Sequence, residues 1–409
     1  MTSCERVLTA LSHNEPDRVP LDLGGTVMSG IMAQALDRYL QHKGDDRAVK
    51  VYELFQMLGE VELDLAERWQ VDALPVEPRA LFFDIQRENY KSWTLFDGTQ
   101  VEVPGAFNVE ITPEGDWLLH KGGDNKRPIE GKMPKDGYYF DMYSMTKLDH
   151  EWQPPSLDQV RRDANSPDEH ELEFLCERAA YLRKYTDKAL ILTGLGWWGL
   201  GMVGSIPEAL MLLATDPGYV HDLLDLRCEL ATANLRRAYD ALGDLIDIVV
   251  IDGQDFGSQR AEMFNPERFQ EFFAPRFAKQ VDWIHSHTPW KVWQHSCGSI
   301  PNLLPQIVDA GIDAINPIQT SAAGMEPEVL KTRFGQDITF WGGGVDTQRT
   351  LPFGTPDEVH QQVKERIKTF APGGGFVFAA VHNIQANTPP SNIEAMFDAV
   401  RTHGTYPIA

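Results

Sequence analysis

The chain has 409 residues, of which 42% are hydrophobic and 24% are charged, as in globular proteins with a substantial core. Acidic residues outnumber basic ones by 60 to 37, and the net charge of −23 argues against nucleic acid or an anionic membrane surface as a partner. The 4 cysteines are not closely paired, and neither a signal-peptide core nor an apolar run of about 18 residues is present, so a cytoplasmic protein is expected.

Short apolar runs bounded by glycine, proline and aspartate predict strands that are buried on both faces, as in parallel sheets. In chain order these runs are VPLDL (19–23), ALPVE (73–77), ALILTGLG (189–196), DIVVIDGQ (247–254), KVWQHSCG (291–298), IDAINPI (312–318), ITFWGGG (338–344) and FVFAAVHN (376–383). Helical stretches lie between most of them, at 207–242 (two helices broken near DPG), 266–287, 300–311 and 356–370. Eight strands with intervening helices favour an α/β fold of the (β/α)₈ TIM-barrel type over a doubly wound open sheet.

One region interrupts this alternation. The segment SWTLFDGTQVEVPG contains an Asp-Gly turn between alternating stretches, which indicates a β-hairpin. EGDWLLHKGG and DGYYFDMY also resemble short strands. We therefore predict a single barrel domain over 1–409 with a small antiparallel insert at about 90–145, followed by a helical return at 168–185.

Polar residues that follow the predicted strands are the candidate site, because TIM barrels place their chemistry at the carboxyl ends of the strands. Asp252 and Asp255 are predicted to bind substrate or to act as acid or base, although capping of the next helix would also explain them. Trp197 is a candidate pocket wall, with plain packing as the alternative. The remaining candidates for substrate binding are Gln254, Asn316, Gln319, Asn383 and Gln385.

The segment WQHSCGSI places His295 and Cys297 two residues apart at a strand end. In an extended chain both side chains point to the same side, and imidazole and thiolate are the usual zinc donors. A catalytic zinc needs about three protein ligands, and the third is predicted to be His382, with Asp252 or Asp255 as alternatives. A packed cysteine beside a hydrogen-bonded histidine is the non-metal interpretation of the same motif.

The sequence resembles the uroporphyrinogen decarboxylase superfamily, especially its branch of cobalamin-linked methyltransferases. The resemblance covers most of the chain and is carried by RVLTALSHNEPDRVPLDLGG (6–25), VVIDGQDFGSQRAEMFNPERFQEFFAPRF (249–277), WQHSCGSIPNLLPQIVDAGIDAINPIQ (293–319), ITFWGGGVDTQRTLPFGTPDEV (338–359) and GGGFVFAAVHNIQANTPPSNIEAMFDAV (373–400). It implies a (β/α)₈ barrel. In the methyltransferase branch, zinc is held by an H-x-C pair and a later cysteine, and here His382 occupies the position of that cysteine.

The resemblance also implies a reaction. Zinc would bind a thiol substrate, and a methyl group would move between a small methylated compound or the thiol and a corrinoid carried by a partner protein. The porphyrinogen decarboxylases proper use no metal and carry an Arg-rich N-terminal motif that LDLGGTVMSGI lacks. A metal-free decarboxylase or lyase that acts on a carboxylated small molecule is the alternative, and a barrel that only binds a ligand is a third. Related barrels can pair through their faces, so a homodimer is also considered.

Overall fold

A computed structural model describes residues 1–80, 82–143, 152–164, 166–200 and 204–408. Within these ranges the strands are β1 Val49–Glu53, β2 Leu58–Gly59, β3 Ala73–Val76, β4 Lys91–Thr94, β5 Gln100–Val103, β6 Val109–Ile111, β7 Trp117–His120, β8 Ile129–Met133, β9 Asp141–Met142, β10 Ala189–Leu192, β11 Ile248–Asp252, β12 Lys291–His295, β13 Ala314–Asn316, β14 Thr339–Trp341 and β15 Phe376–Val377.

The helices of the same ranges are α1 Ser3–Leu11, α2 Ala33–His42, α3 Leu63–Trp69, α4 Leu157–Asp163, α5 Glu169–Tyr185, α6 Ile206–Thr215, α7 Pro217–Leu242, α8 Pro266–Phe272, α9 Ala274–His287, α10 Leu304–Asp309, α11 Pro327–Phe334, α12 Thr350–Phe353, α13 Pro356–Phe370 and α14 Pro390–His403. None of these described helices is long and apolar enough to cross a membrane.

A closed parallel barrel forms the centre of the fold. Seven strands pair in the order β15-β14-β13-β12-β11-β10-β3. The eighth member is the segment around Leu21, which bridges Phe378 in parallel. The Asp22 N–H donates to the Phe378 carbonyl at 2.8 Å, and the Asp72 N–H donates to the Leu21 carbonyl at 2.7 Å. These bonds join both edges of the sheet, which confirms the predicted (β/α)₈ barrel.

The barrel interior is packed with side chains and is closed at its amino end. Inward residues of the barrel strands, including Trp293, Trp341 and Val250, form one buried cluster. Val7 and Ala10 of α1 belong to the same cluster, so this helix covers the amino end of the barrel. Any chemistry inside this barrel therefore has to take place at the opposite, carboxyl end.

The charged residues at the amino end are paired. Asp72 is fully buried, and its carboxylate accepts hydrogen bonds from Arg6 at 2.7 Å, from Arg18 at 2.7 Å and from the Leu21 N–H at 2.8 Å. Arg6 also binds the half-exposed Asp17 at 2.6 Å. This network ties α1 to the strand that closes the barrel.

The insert consists of antiparallel strands, as predicted. Strands β4 and β5 form a hairpin around Asp97 and Gly98, and β6 to β9 form a second antiparallel sheet. The hairpin is extended by an earlier segment, because β5 pairs in parallel with β1, which in turn pairs with β2. Residues 49–59 thus belong to this sheet although they lie outside the predicted 90–145. Residues 144–145 lie outside the described ranges, and the division into one domain with an insert stays a prediction.

Candidate active site

Three side chains from two strand ends converge at the carboxyl end of the barrel. His295 is the last residue of β12, Cys297 follows it by two residues, and His382 lies in the loop after β15. Their ligand atoms all lie within 4.8 Å of one another. Within the described residues, this is the group of histidine, cysteine and acidic side chains whose geometry is suited to hold a metal ion.

A chain of hydrogen bonds fixes the tautomer of His295. The carbonyl of Trp341 can only accept, so the Asn316 amide NH₂ points to it at 3.0 Å. The Asn316 Oδ1 therefore faces the Nδ1 of His295 at 2.8 Å, and Nδ1 has to be the donor. The neutral ring then carries a lone pair on Nε2, which is the atom that faces Cys297. An outer partner of this kind is typical of metal-binding histidines.

The distance between these two donors fits a metal. The Cys297 Sγ lies 3.5 Å from the His295 Nε2. Two ligands of a tetrahedral zinc with ordinary Zn–S and Zn–N bonds are separated by about 3.5 Å. Asp255 supports the pair, since its Oδ1 accepts the Cys297 N–H at 2.8 Å and lies 3.4 Å from the His295 Nε2.

Protons compete with a metal for this pair of side chains. Burial raises the pKa of the Cys297 thiol. Burial disfavours the charged imidazole of His295, but Cys297 and Asp255 together raise its pKa well above the ordinary value. A metal would have to displace these protons, so its affinity falls as the pH falls.

His382 fits the metal less completely. Burial and the neighbouring His295 lower the pKa of His382 to about 4, which leaves the ring neutral. Its Nδ1 accepts the N–H of Asn383 at 2.7 Å, so the ring proton is on Nε2. Coordination through Nε2 would move this proton to Nδ1 and break the contact with Asn383. His295 is therefore prepared as a ligand, whereas His382 must exchange a hydrogen bond for a metal bond.

Asp252 lies at the end of β11 and is 2% exposed. Its Oδ1 accepts the N–H groups of Gly253 at 2.9 Å and Gln254 at 3.2 Å. Its Oδ2 is buried and has no hydrogen-bond partner among the described residues. Burial raises the pKa of Asp252 well above its usual range, although the backbone donors oppose this. The raised pKa and the unpaired Oδ2 make Asp252 a candidate proton donor.

The predicted amide residues mostly position the loops around the site. Gln254 accepts the Leu200 N–H at 2.8 Å, and Gln319 accepts the Gly298 N–H at 2.8 Å. Asn383 donates to the Val27 carbonyl at 2.9 Å and to the Gln56 side chain at 3.0 Å. Gln385 in turn donates to the Asn383 carbonyl at 2.8 Å. Substrate binding by any of these amides stays a prediction.

Trp197 is half-buried, packs against the cluster of the barrel interior and leaves its indole N–H without a partner among the described residues. Its ring centroid lies 6.5 Å from that of Phe82. The interior side of the barrel mouth is thus partly aromatic, and the role of Trp197 as a pocket wall stays a prediction.

Sequence reasoning missed a second polar group at the same end of the barrel. Glu77 directly follows β3, and Tyr52 and Glu53 end β1, yet only the strand ALPVE was recognised there. The acidic residue at the end of that strand was the available signal for Glu77. No local signal marks Tyr52, because its position depends on the pairing of β1 with the distant β5.

A model of the family described as uroporphyrinogen decarboxylase (URO-D) matches residues 150–403. This is more than half of the chain, and the protein belongs to the uroporphyrinogen decarboxylase family. The match includes all three converging metal-ligand candidates.

Two curated relatives and one solved structure are similar to the chain. A uroporphyrinogen decarboxylase from Psychromonas ingrahamii is 30% identical over 97 residues, which cover 24% of this chain and 25% of the relative. One from Pseudoalteromonas atlantica is 22% identical over 253 residues, which cover 58% and 66%. The chain thus spans less than two thirds of either relative.

The solved structure is a methyltransferase from Methanosarcina mazei, with a TM-score of 0.54 and 18% identity over 98% of this chain and 99% of that one. At this identity the similarity shows the fold alone.

Proposed function

We propose that the protein is a zinc-dependent methyltransferase that moves a methyl group between a small methylated substrate or thiol and a corrinoid carried by a partner protein. The observation that carries the proposal is the convergence of His295, Cys297 and His382 within 4.8 Å, with His295 held in the ligating tautomer by Asn316. The fold shared with a methyltransferase supports it.

Each residue has a role in this proposal. His295, Cys297 and His382 would hold the zinc, which would supply Lewis-acid activation by lowering the pKa of a bound thiol. Asp255 orients the Cys297 backbone, and Asn316 orients His295. Asp252, whose pKa is raised by burial, is the acid that protonates the leaving atom of the methylated substrate when the methyl group is transferred. Gln254, Gln319, Asn383 and Gln385 keep the surrounding loops in place.

The partners follow from the same proposal. The net charge of −23 favours a corrinoid protein whose docking face is basic, because complementary charge accelerates encounter. A cytoplasmic location and a homodimer are further parts of the proposal.

A metal-free decarboxylase is the second candidate, and Asp252 is the observation that favours it. A buried carboxyl with a raised pKa, and with one oxygen that has no partner among the described residues, could donate a proton to the carbanion that remains after loss of carbon dioxide. In this case Cys297 would have only a packing role.

Metal content separates the two candidates. We expect about one zinc per chain in the purified wild-type protein, loss of zinc in His295→Ala and Cys297→Ala, and a weaker loss in His382→Ala because that ring gives up a hydrogen bond to coordinate. Cys176→Ala and His285→Ala, which change the same residue types outside the site, serve as matched controls.

The outcomes differ clearly. Zinc that is lost in the site variants and kept in the controls would support the methyltransferase and lead to a corrinoid-dependent assay. Protein that stays metal-free after growth with added zinc would contradict the methyltransferase, and carbon dioxide release that depends on Asp252 would then be the reaction to measure.

A further inference from the structure

A second polar cluster lies at the barrel mouth, formed by Tyr52, Glu53, Glu77 and Arg87. Glu77 directly follows β3 and lies four residues after Ala73, which is part of the interior cluster. Because side chains alternate along a strand, both residues point toward the barrel interior. Tyr52 reaches that interior cluster from β1 of the insert sheet. Both side chains are buried, at 2% and 7% exposure. The insert thus places a tyrosine against the open end of the barrel, next to a strand-end carboxylate.

Arg87 holds the cluster in a fixed arrangement. Its Nη1 donates to the Glu77 Oε2 at 2.9 Å, and its Nη2 donates to the carbonyls of Glu77 at 3.1 Å and Pro78 at 2.6 Å. The same guanidinium lies 6.0 Å from the ring centroid of Tyr52. One oxygen of Glu77 and the ring of Tyr52 are therefore fixed by a single side chain.

Glu77 and Tyr52 each have one polar atom without a hydrogen-bond partner among the described residues. The Glu77 Oε1 and the Tyr52 hydroxyl are buried, and neither has a hydrogen-bond partner among the described residues. Buried polar groups are almost always hydrogen-bonded, and a pair of exceptions in one cluster indicates a ligand group. A carboxylate can only accept, and a tyrosine hydroxyl can donate. A ligand hydroxyl suits both kinds of atom, since it can donate to an acceptor such as Glu77 and accept from a donor such as Tyr52.

Charge also favours a neutral group. Arg87 pairs with Glu77 at 2.9 Å, and burial raises the pKa of Glu77 despite this partner, so the cluster carries no surplus of negative charge. Burial raises the pKa of the neighbouring Glu53 to about 8, so that carboxyl is mostly neutral. An ammonium group would find no net negative charge here and would have no lone pair for the Tyr52 hydroxyl.

A row of rings connects this cluster with Asp252. The ring centroids of Phe55 and Phe82 are 5.5 Å apart, and those of Phe82 and Trp197 are 6.5 Å apart. A Cβ at Gly253, the residue after Asp252, would lie 3.9 Å from the Trp197 indole. All three rings are partly exposed. Such a wall suits a flat, apolar ligand body.

We infer that the Tyr52–Glu77 pair is a specificity site that binds the hydroxyl group of a hydroxylated aromatic substrate, with its ring against the Phe55–Phe82–Trp197 row. Gln56 connects this cluster with the loop that carries His382. Its backbone N–H donates to the Glu53 carboxyl at 2.8 Å, and its side-chain oxygen accepts from the side chain of Asn383, the residue after His382, at 3.0 Å. The inference rests on the proposed function only in calling the ligand a substrate.

Ligand-observed NMR titrations test the inference with three probes of similar shape: phenol, toluene and benzylammonium. We expect phenol to bind wild-type protein at least about tenfold more tightly than toluene, because the unpaired groups reject a ligand without the hydroxyl. Tyr52→Phe should remove most of this preference and leave toluene binding unchanged. Tyr90→Phe, a tyrosine near Arg87 that is not part of the interior cluster, should keep the preference.

Three results would overturn the inference: equal affinities for phenol and toluene, a preference for benzylammonium, or no saturable binding of phenol. A purely structural role for Tyr52 would change the melting temperature without changing the phenol-to-toluene ratio. The same titrations on Cys297→Ala separate this inference from the metal proposal, because the ratio should persist in that variant whether or not the wild type contains zinc.

Discussion

Some buried carboxyl groups at the carboxyl end of the barrel are less completely hydrogen-bonded than the one at the amino end. At the amino end, Asp72 is fully buried and accepts hydrogen bonds from two arginines and a backbone N–H. At the carboxyl end, Asp252 and Glu77 are almost as buried, yet each has one oxygen without a partner among the described residues.

This difference separates the part of the fold that provides stability from the part that is prepared for a ligand. An unpaired buried polar atom costs about 1–3 kcal/mol of stability. Proteins keep such costs where the unpaired atoms have a function. The four predictions below test whether the two ends differ in this way.

The largest loss of stability is expected for Asp72→Ala. Removing this carboxylate leaves Arg6 and Arg18 without their buried partner, which costs about 3–5 kcal/mol. Urea denaturation measures the change in the free energy of unfolding. Asp17→Ala, which removes the half-exposed partner of Arg6, is the control and should cost about 1 kcal/mol or less. A similar small effect for Asp72→Ala would contradict the assigned role of the amino end.

The pH dependence of stability should have opposite signs at the two ends. Burial raises the pKa of Asp22, at the end of the closing strand, from 3.8 to about 6. Its contribution to stability is therefore complete below pH 3.8 and is lost as the pH rises through about 6. Arg6 lowers the pKa of Asp17 to about 2, so the contribution of Asp17 is lost as the pH falls.

Denaturation at several pH values, comparing wild type with Asp22→Asn and Asp17→Asn, measures these signs. The advantage of wild type over Asp22→Asn should shrink by roughly 2–3 kcal/mol between about pH 4 and 6.5. A constant difference across this window would show that Asp22 does not titrate there.

The next effect concerns the metal. In Asn316→Leu the Nδ1 of His295 loses its acceptor, so the tautomer that faces Cys297 is no longer enforced. Zinc affinity is expected to fall by about 10–100-fold, as for other outer partners of metal ligands. Competition with a chromogenic chelator measures this change. Asn392→Leu removes another buried asparagine, which binds the Leu351 carbonyl at 2.9 Å, and should leave zinc affinity unchanged.

The smallest effect is expected for the stability of Asp252→Asn. Burial raises the pKa of the native carboxyl and its Oδ2 has no partner among the described residues, so the free energy of unfolding should change by no more than about 1 kcal/mol. Urea denaturation of Asp252→Asn and Asp72→Ala under the same conditions compares the loss in the free energy of unfolding at the two ends. If Asp252→Asn loses more than about 2 kcal/mol, the carboxyl end contributes to stability in the same way as the amino end.

Local patterns were sufficient to predict much of the fold. Strands buried on both faces require continuous apolar runs, and each of the eight predicted runs contains a barrel strand. The helix break near DPG lies at Asp216, between α6 and α7. The predicted helix at 266–287 is two helices, because Pro275 cannot donate the hydrogen bond that would continue α8.

The site was predictable to the extent that it follows from strand ends. Side chains two residues apart in an extended segment point to the same side, and this rule predicted that His295 and Cys297 lie together. The partnership of Tyr52 with Glu77 could not be predicted, because it requires that β1 pairs with β5, which comes about fifty residues later. Likewise, the tautomer of His295 depends on a carbonyl of another strand, which sequence spacing does not reveal.

The closing strand around Leu21 has a consequence for synthesis on the ribosome. It binds Phe378, near the other end of the chain, so the barrel cannot close until β15 has left the exit tunnel. Until then, the strand around Leu21 and the last strand to emerge are open edges that can pair with other nascent chains. Stalled nascent chains that end before Phe376 should therefore recruit chaperones and aggregate, whereas chains that extend beyond α14 should become protease-resistant.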